Sequence, residues 1–204
     1  MFKIHIRRNL RVRTSLKILN YINNDWTHFP HLHRKTIADH RLLYKEGKRE
    51  IFYYKSRCLY PLPIFEHYLV FRDYPTDHSY RNIYINIRTG QAHLLNSAVY
   101  SEGEVMLNVS DYLFSVPSYW RLFPKLFLWV FKKRMRRVLD EDNEWNMELN
   151  KAENLVDNST CAPAVPESFD PFDHLFKDKK LMAAESHVSF EFDDAVLFEN
   201  QQHV

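Results

Sequence analysis

Between Glu50 and Ser115 the chain is rich in β-branched and aromatic residues, and this stretch constrains the fold more than any other. Ile51-Phe-Tyr-Tyr54, Ile64 to Phe71, Ile83-Tyr-Ile-Asn-Ile87 and Val105 to Leu113 each suit a pleated, half-buried surface. Arg88-Thr-Gly-Gln91 reads as a hairpin turn leading into His93 to Tyr100, and Ser101-Glu-Gly-Glu104 as another. Strands joined by turns this short pair antiparallel. Near the N-terminus Phe2, Ile4, Ile6, Leu10 and Val12 alternate with polar residues, which predicts a strand or two short strands over 2–13.

After Pro124 the period changes. Leu126, Val130, Phe131, Arg134, Val138, Leu139, Trp145 and Leu149 recur at helical spacing, and no Pro or Gly interrupts Lys125 to Val156. One helix of up to about eight turns fits there. Ahead of the sheet, Leu16 to Tyr21 can begin a helix. Asn23 and Asn24 occupy N-cap positions before Asp25, and 25–38 read as a short, broken helix. Helix, antiparallel sheet and long C-terminal helix together predict an α+β helix-grip domain, a curved sheet wrapped around a helix, over 1–156.

Composition narrows the function. Forty-five per cent hydrophobic and 15% aromatic residues support a sizeable core without disulfides. Three glycines and no G-x-G-x-x-G or G-x-x-x-x-G-K sequence argue against phosphate-cradling loops. Cys58 and Cys161 form no zinc or iron–sulfur framework and point to a reducing, cytoplasmic setting. The first 24 residues hold six Lys or Arg and no acid, a pattern shared with organelle transit peptides. Residues 157–204 carry ten acids against three lysines, net −7, which leaves +9 on 1–156. A basic body of this kind can bind an acidic partner, an anionic membrane surface or its own tail. No recognition helix or zinc module supports nucleic acid as the partner. The tail contains Pro163, Pro166 and Pro171 and two acidic–aromatic patches, Phe169 to Phe176 and Phe190 to Phe198. It reads as a partly disordered segment or a docking segment.

One constellation carries chemistry. Asp25, His28 and His33 are spaced D-x2-H-x4-H, which random placement would produce roughly 0.04 times in this composition. Two imidazoles and a second carboxylate form the face that binds ferrous iron and leaves positions open for oxygen. The second carboxylate has candidates in Asp140-Glu-Asp-Asn-Glu144. Residues five apart diverge by about 140° on a helix, so His28 and His33 need the break that Pro30 provides. His31 is an alternative ligand.

The segment Asn20-Tyr-Ile-Asn-Asn-Asp-Trp-Thr-His28, continuing to His33, resembles the iron-binding segment of Rieske non-haem iron oxygenase α subunits. Val138-Leu-Asp-Glu-Asp-Asn-Glu-Trp145 resembles the region of their third ligand. The resemblance implies a START/SRPBCC-type catalytic domain over about residues 10–153 that holds Fe(2+) through His28, His33 and Asp142, with Asp140 in reserve. It implies that Asp25 relays electrons. The two-Cys, two-His Rieske domain is missing from this sequence, so a separate electron-transfer protein is expected. An oxygenase of this type would act on a hydrophobic or aromatic small molecule held by Phe52, Tyr54, Phe65, Tyr68 and Phe71, and a homo-oligomer stays open.

Two other functions compete. The same scaffold suits a non-enzymatic carrier of a lipid or other hydrophobe, which needs no reductant. Tyr119 to Arg134 mixes aromatic and basic residues as a peripheral membrane surface does.

Overall fold

The computed structural model describes residues 2–12, 33, 35–57, 64–102, 105–153 and 187–196. Among the described residues, eight strands form one curved sheet: β1 (Phe2–Val12), β2 (Ile37–Glu46), β3 (Arg49–Arg57), β4 (Phe65–Thr76), β5 (Ser79–Asn86), β6 (Ala92–Glu102), β7 (Val105–Val116) and β8 (His187–Val196). A 3-10 turn at Ser118–Leu122 follows β7 and leads into one long helix, α1 (Pro124–Glu153). The sheet order is β2-β3-β4-β5-β6-β7-β1-β8. β2 to β7 run as an antiparallel meander, and β1 returns antiparallel to β7. This is the expected helix grip.

Period-two alternation makes β1 the spine of the core. Phe2, Ile4, Ile6, Leu10 and Val12 are buried on the helix side, each opposite a residue of β7 from Val116 to Met106. Phe131 of α1 closes onto Phe2, Ile4, Ile6 and Val116, with Phe127, Leu128 and Met135 beside it. Leu139, two turns further along, seats on Leu10 and Val12. Pro117 and Pro124 bracket the 3-10 turn, and Pro124 occupies the first helical position, where its missing N–H costs nothing. Thirty residues at 1.5 Å each give a helix of about 45 Å. Among the described residues, no helix is long and apolar enough to cross a membrane.

Two strands differ from the sequence expectation. β2 begins within the stretch read as a broken helix. Its Asp39, Arg41, Lys45 and Glu46 give it no alternating apolar signal, because it is an edge strand, and charge on an edge discourages pairing with another chain. A tight turn at Gly47, with φ +55°, folds it onto β3. β8 lies inside the acidic C-terminal segment and adds to β1 in parallel, Ile4 opposite Val188 and Val12 opposite Val196. Val188, Phe190 and Phe192 join the core side. On the other side Asn9 donates to Glu191 at 3.0 Å and Arg11 meets Asp193 at 3.5 Å, while on the core side buried Arg8 reaches Asp194 at 3.3 Å. The basic strand and the acidic strand of one chain thus neutralise each other.

Candidate functional site

Of the expected iron-site residues, His33 and Asp142 are described, whereas Asp25, His28 and the alternative His31 lie outside the described residues. His33 is buried just ahead of β2, where its carbonyl accepts the amide hydrogens of Thr36 and Ile37 and the Thr36 hydroxyl. This tight turn points the imidazole at α1. Nε2 lies 3.0 Å from Asp142 Oδ1, and Nδ1 lies 3.3 Å from Glu141 Oε2. Burial alone would lower the imidazole pKa. Hydrogen bonds and charge from Asp142 and then Glu141 outweigh that and hold it above the ordinary histidine value. The reserve candidate Asp140 is exposed and pairs with Arg136 instead. His33 is therefore a buried imidazole flanked by two carboxylates, a clasp between the entry to β2 and the helix.

The second cluster lies on the inner face of the sheet, the face α1 covers. Antiparallel register brings one ring from each strand into line. His40 meets Phe52 at 4.9 Å between centroids, Tyr54 meets Tyr84 at 5.9 Å, and Tyr68 meets His93 at 6.0 Å. His93 meets Phe114 at 5.4 Å, Phe114 meets Phe127 at 5.1 Å, and Tyr112 meets Phe131 at 4.8 Å. The result is a continuous aromatic band from the β2 edge to the helix.

Polar atoms punctuate the band. Arg72, buried between the rings of Phe52 and Tyr80, donates from Nε to Asn82 Oδ1 at 2.8 Å. Asn82 in turn donates to the Tyr84 hydroxyl at 2.9 Å. The Tyr68 hydroxyl donates to Glu66 at 2.7 Å, and Arg134 of α1 donates to Ser56 Oγ. Burial raises the Tyr84 phenol, and burial followed by the Glu66 hydrogen bond raises that of Tyr68, so both stay neutral. Burial lowers the His93 pKa, so this imidazole is neutral too. Its Nδ1 is buried with no hydrogen-bond partner among the described residues. Such a surface stacks flat apolar groups and offers a few fixed hydrogen-bonding points.

Of the expected wall residues, Phe52, Tyr54 and Tyr68 belong to this face. Phe65 and Phe71 do not. Tyr54 pairs with Tyr68 and Phe52 with Val70, so the odd-numbered β4 residues point to the opposite face, where Phe65 lies under Lys55 and Phe71 is exposed. Tyr84, His93, Tyr112 and Phe114 escaped the sequence reading. Alternation along β5 to β7, combined with hairpin register, is the signal that places them.

No protein-family model matches the sequence, and no curated protein is similar to it at a significant level. Solved structures do match the fold. A protein from Thermus thermophilus superposes with a TM-score of 0.54 at 13% identity, covering 71% of this chain and 98% of that one. A START superfamily protein from Mycobacterium smegmatis gives 0.53 at 12%, covering 71% and 98%. The Zhui aromatase/cyclase from Streptomyces sp. R1128 gives 0.54 at 10%, covering 78% and 99%. These likenesses show the START helix-grip fold. They also correct the Rieske oxygenase resemblance: the chain superposes on START and aromatase/cyclase structures. Among the described residues, no group of three or more His, Cys, Asp or Glu side chains is arranged to hold a metal. His33 has the two neighbouring carboxylates as direct partners.

Proposed function

We propose that the protein binds a hydrophobic, ring-containing small molecule on the inner face of its helix grip and acts as a carrier rather than an oxygenase. The observation that carries this reading is the aromatic band interrupted by the buried Nδ1 of His93, which has no hydrogen-bond partner among the described residues. A buried polar atom without a partner is costly, by about 1–3 kcal/mol, and a ligand that hydrogen-bonds it recovers that cost. The Tyr84 hydroxyl, already accepting from Asn82, keeps its own proton to donate. The rings supply apolar area and the two polar points supply orientation. The wall holds its phenols and His93 neutral, so each offers a hydrogen-bonding point and not a charge. The fold likeness to a START superfamily protein and to an aromatase/cyclase supports a hydrophobic ligand.

Fluorescence titration with the apolar probe anilinonaphthalene sulfonate, followed by displacement with planar aromatic compounds, tests the reading. Saturable binding is expected, weakened about 5- to 30-fold for the displacing ligand in His93→Phe. A folded protein with no saturable site, or one indifferent to both His93→Phe and Tyr84→Leu, would sink it.

The Fe(2+) site is a separate proposal, untied from the oxygenase resemblance. What favours it is the 3.0 Å separation of His33 Nε2 and Asp142 Oδ1 with Glu141 behind Nδ1. Adjacent donors at roughly 2.1 Å from one ion stand about 3 Å apart, and a carboxylate commonly orients the far nitrogen of a ligating histidine. In this reading His28 supplies a further nitrogen. Elemental analysis of protein purified without chelator decides: near-stoichiometric iron lost in His28→Ala is expected, and iron at trace level would end the proposal.

A further inference from the structure

The outer face of the 3-10 turn and of the first turns of α1 has no part in the ligand site. We propose that it is a docking surface for an anionic lipid bilayer. Leu122 is 75% exposed, Tyr119 62%, Trp129 57% and Phe123 56%, with Leu126 and Val130 also exposed. Leu126, Trp129, Val130 and Lys133 are spaced i, i+3, i+4 and i+7 and so share one side of the helix. The opposite side is already committed, because Phe127, Phe131, Met135 and Leu139 pack on the sheet. The apolar outer side is therefore additional to what the core requires, and its exposed residues follow one another along a single short segment.

Charge selects the occupant. Arg121, Lys125, Lys132 and Lys133 are exposed on this segment, and no acidic residue occurs between Asp111 and Asp140. Trp129 carries Lys133 over its ring at 5.1 Å, so apolar and cationic groups are intermixed rather than separated. Aromatic and aliphatic side chains at headgroup depth, ringed by basic ones, are what an interfacial helix presents to anionic lipid. A second copy of the chain fits poorly, since a two-fold contact through this face would set like charges against each other. The acids of β8 are held on β1, away from this role. The inference stands independently of what the inner face binds.

Vesicle flotation tests it, with the full chain mixed with phosphatidylcholine vesicles or with vesicles containing about 30% phosphatidylserine. Binding to the anionic vesicles alone is expected, weakening as salt rises to about 0.5 M. Leu122→Ser with Trp129→Ser, and separately Arg121→Glu with Lys125→Glu, should each lower partitioning at least about tenfold with an unchanged circular dichroism spectrum. Absence of binding, equal binding to neutral vesicles, or insensitivity to both double variants would overturn the proposal. So would a concentration-dependent dimer that Leu122→Ser with Trp129→Ser dissolves, because the face would then join copies of the chain.

Discussion

His33 Nε2 lies 3.0 Å from Asp142 Oδ1, so a residue at the entry to β2 is fastened to α1 through a buried, charged contact. The net effect of burial, Asp142 and Glu141 is an imidazole pKa raised above 6.5. Folding therefore takes up a proton on this ring. Its contribution is complete below 6.5, the ordinary histidine value, and is lost as pH rises through the folded-state value. His93, shifted downward, acts only below 6.5 and in the opposite sense. In chelator-treated protein the urea midpoint should fall as pH rises above 6.5, and His33→Gln should remove that slope. A midpoint that stays level in the native sequence would contradict the clasp.

Breaking the clasp from the helix side should cost more than its surface counterparts. Asp142→Ala leaves the buried His33 with one carboxylate partner and should destabilise by about 3–5 kcal/mol. Asp140→Ala, which removes an exposed i,i+4 pair with Arg136, should change stability by less than about 0.5 kcal/mol. Equilibrium urea unfolding of the two variants, side by side, makes the comparison.

The helix after Pro124 and the strands through Ile51, Tyr68, Ile83, His93 and Val109 show in the sequence, because burial on one face imposes a period that composition reveals. Residue chemistry points to the Asp140–Glu144 segment as the source of a carboxylate for the histidines, and Asp142 lies 3.0 Å from His33. β2 stayed hidden since an edge strand needs little apolar area. β8 stayed hidden because its alternation, Val188, Phe190 and Phe192, sits among acids that make sense only beside Arg8 and Arg11. Choosing Phe65 and Phe71 as wall residues ignored register: hydrophobicity says that a residue packs, whereas pairing decides on which side.

The turn between β5 and β6 should be sensitive to a single methyl group. Gly90 sits at φ +68° with no heavy atom within 4 Å of where a Cβ would stand. Gly90→Ala thus meets backbone strain without a steric clash and should lose about 1 kcal/mol. Thermal unfolding would show it as a shift of a few degrees, and Gly90→Asn, better tolerated in this region, should recover part of the loss.

Arg72 should prove structural rather than ligand-binding. Its guanidinium is buried between Phe52 and Tyr80, bonded to Asn82 and 3.5 Å from the Tyr74 hydroxyl. Tyr74 itself donates to buried Glu50 at 2.9 Å, and Lys45 caps that carboxylate at 2.7 Å. Arg72→Met keeps the stem but removes the cation that this network surrounds, and should destabilise by about 3–5 kcal/mol. Asn82→Ala should cost about 1–3 kcal/mol and also free the Tyr84 hydroxyl. If Arg72 instead anchored an anionic ligand, Arg72→Met would abolish probe displacement while leaving the unfolding midpoint in place. The expected result is the reverse: a lowered midpoint, with planar neutral compounds still displacing the probe wherever the variant is folded.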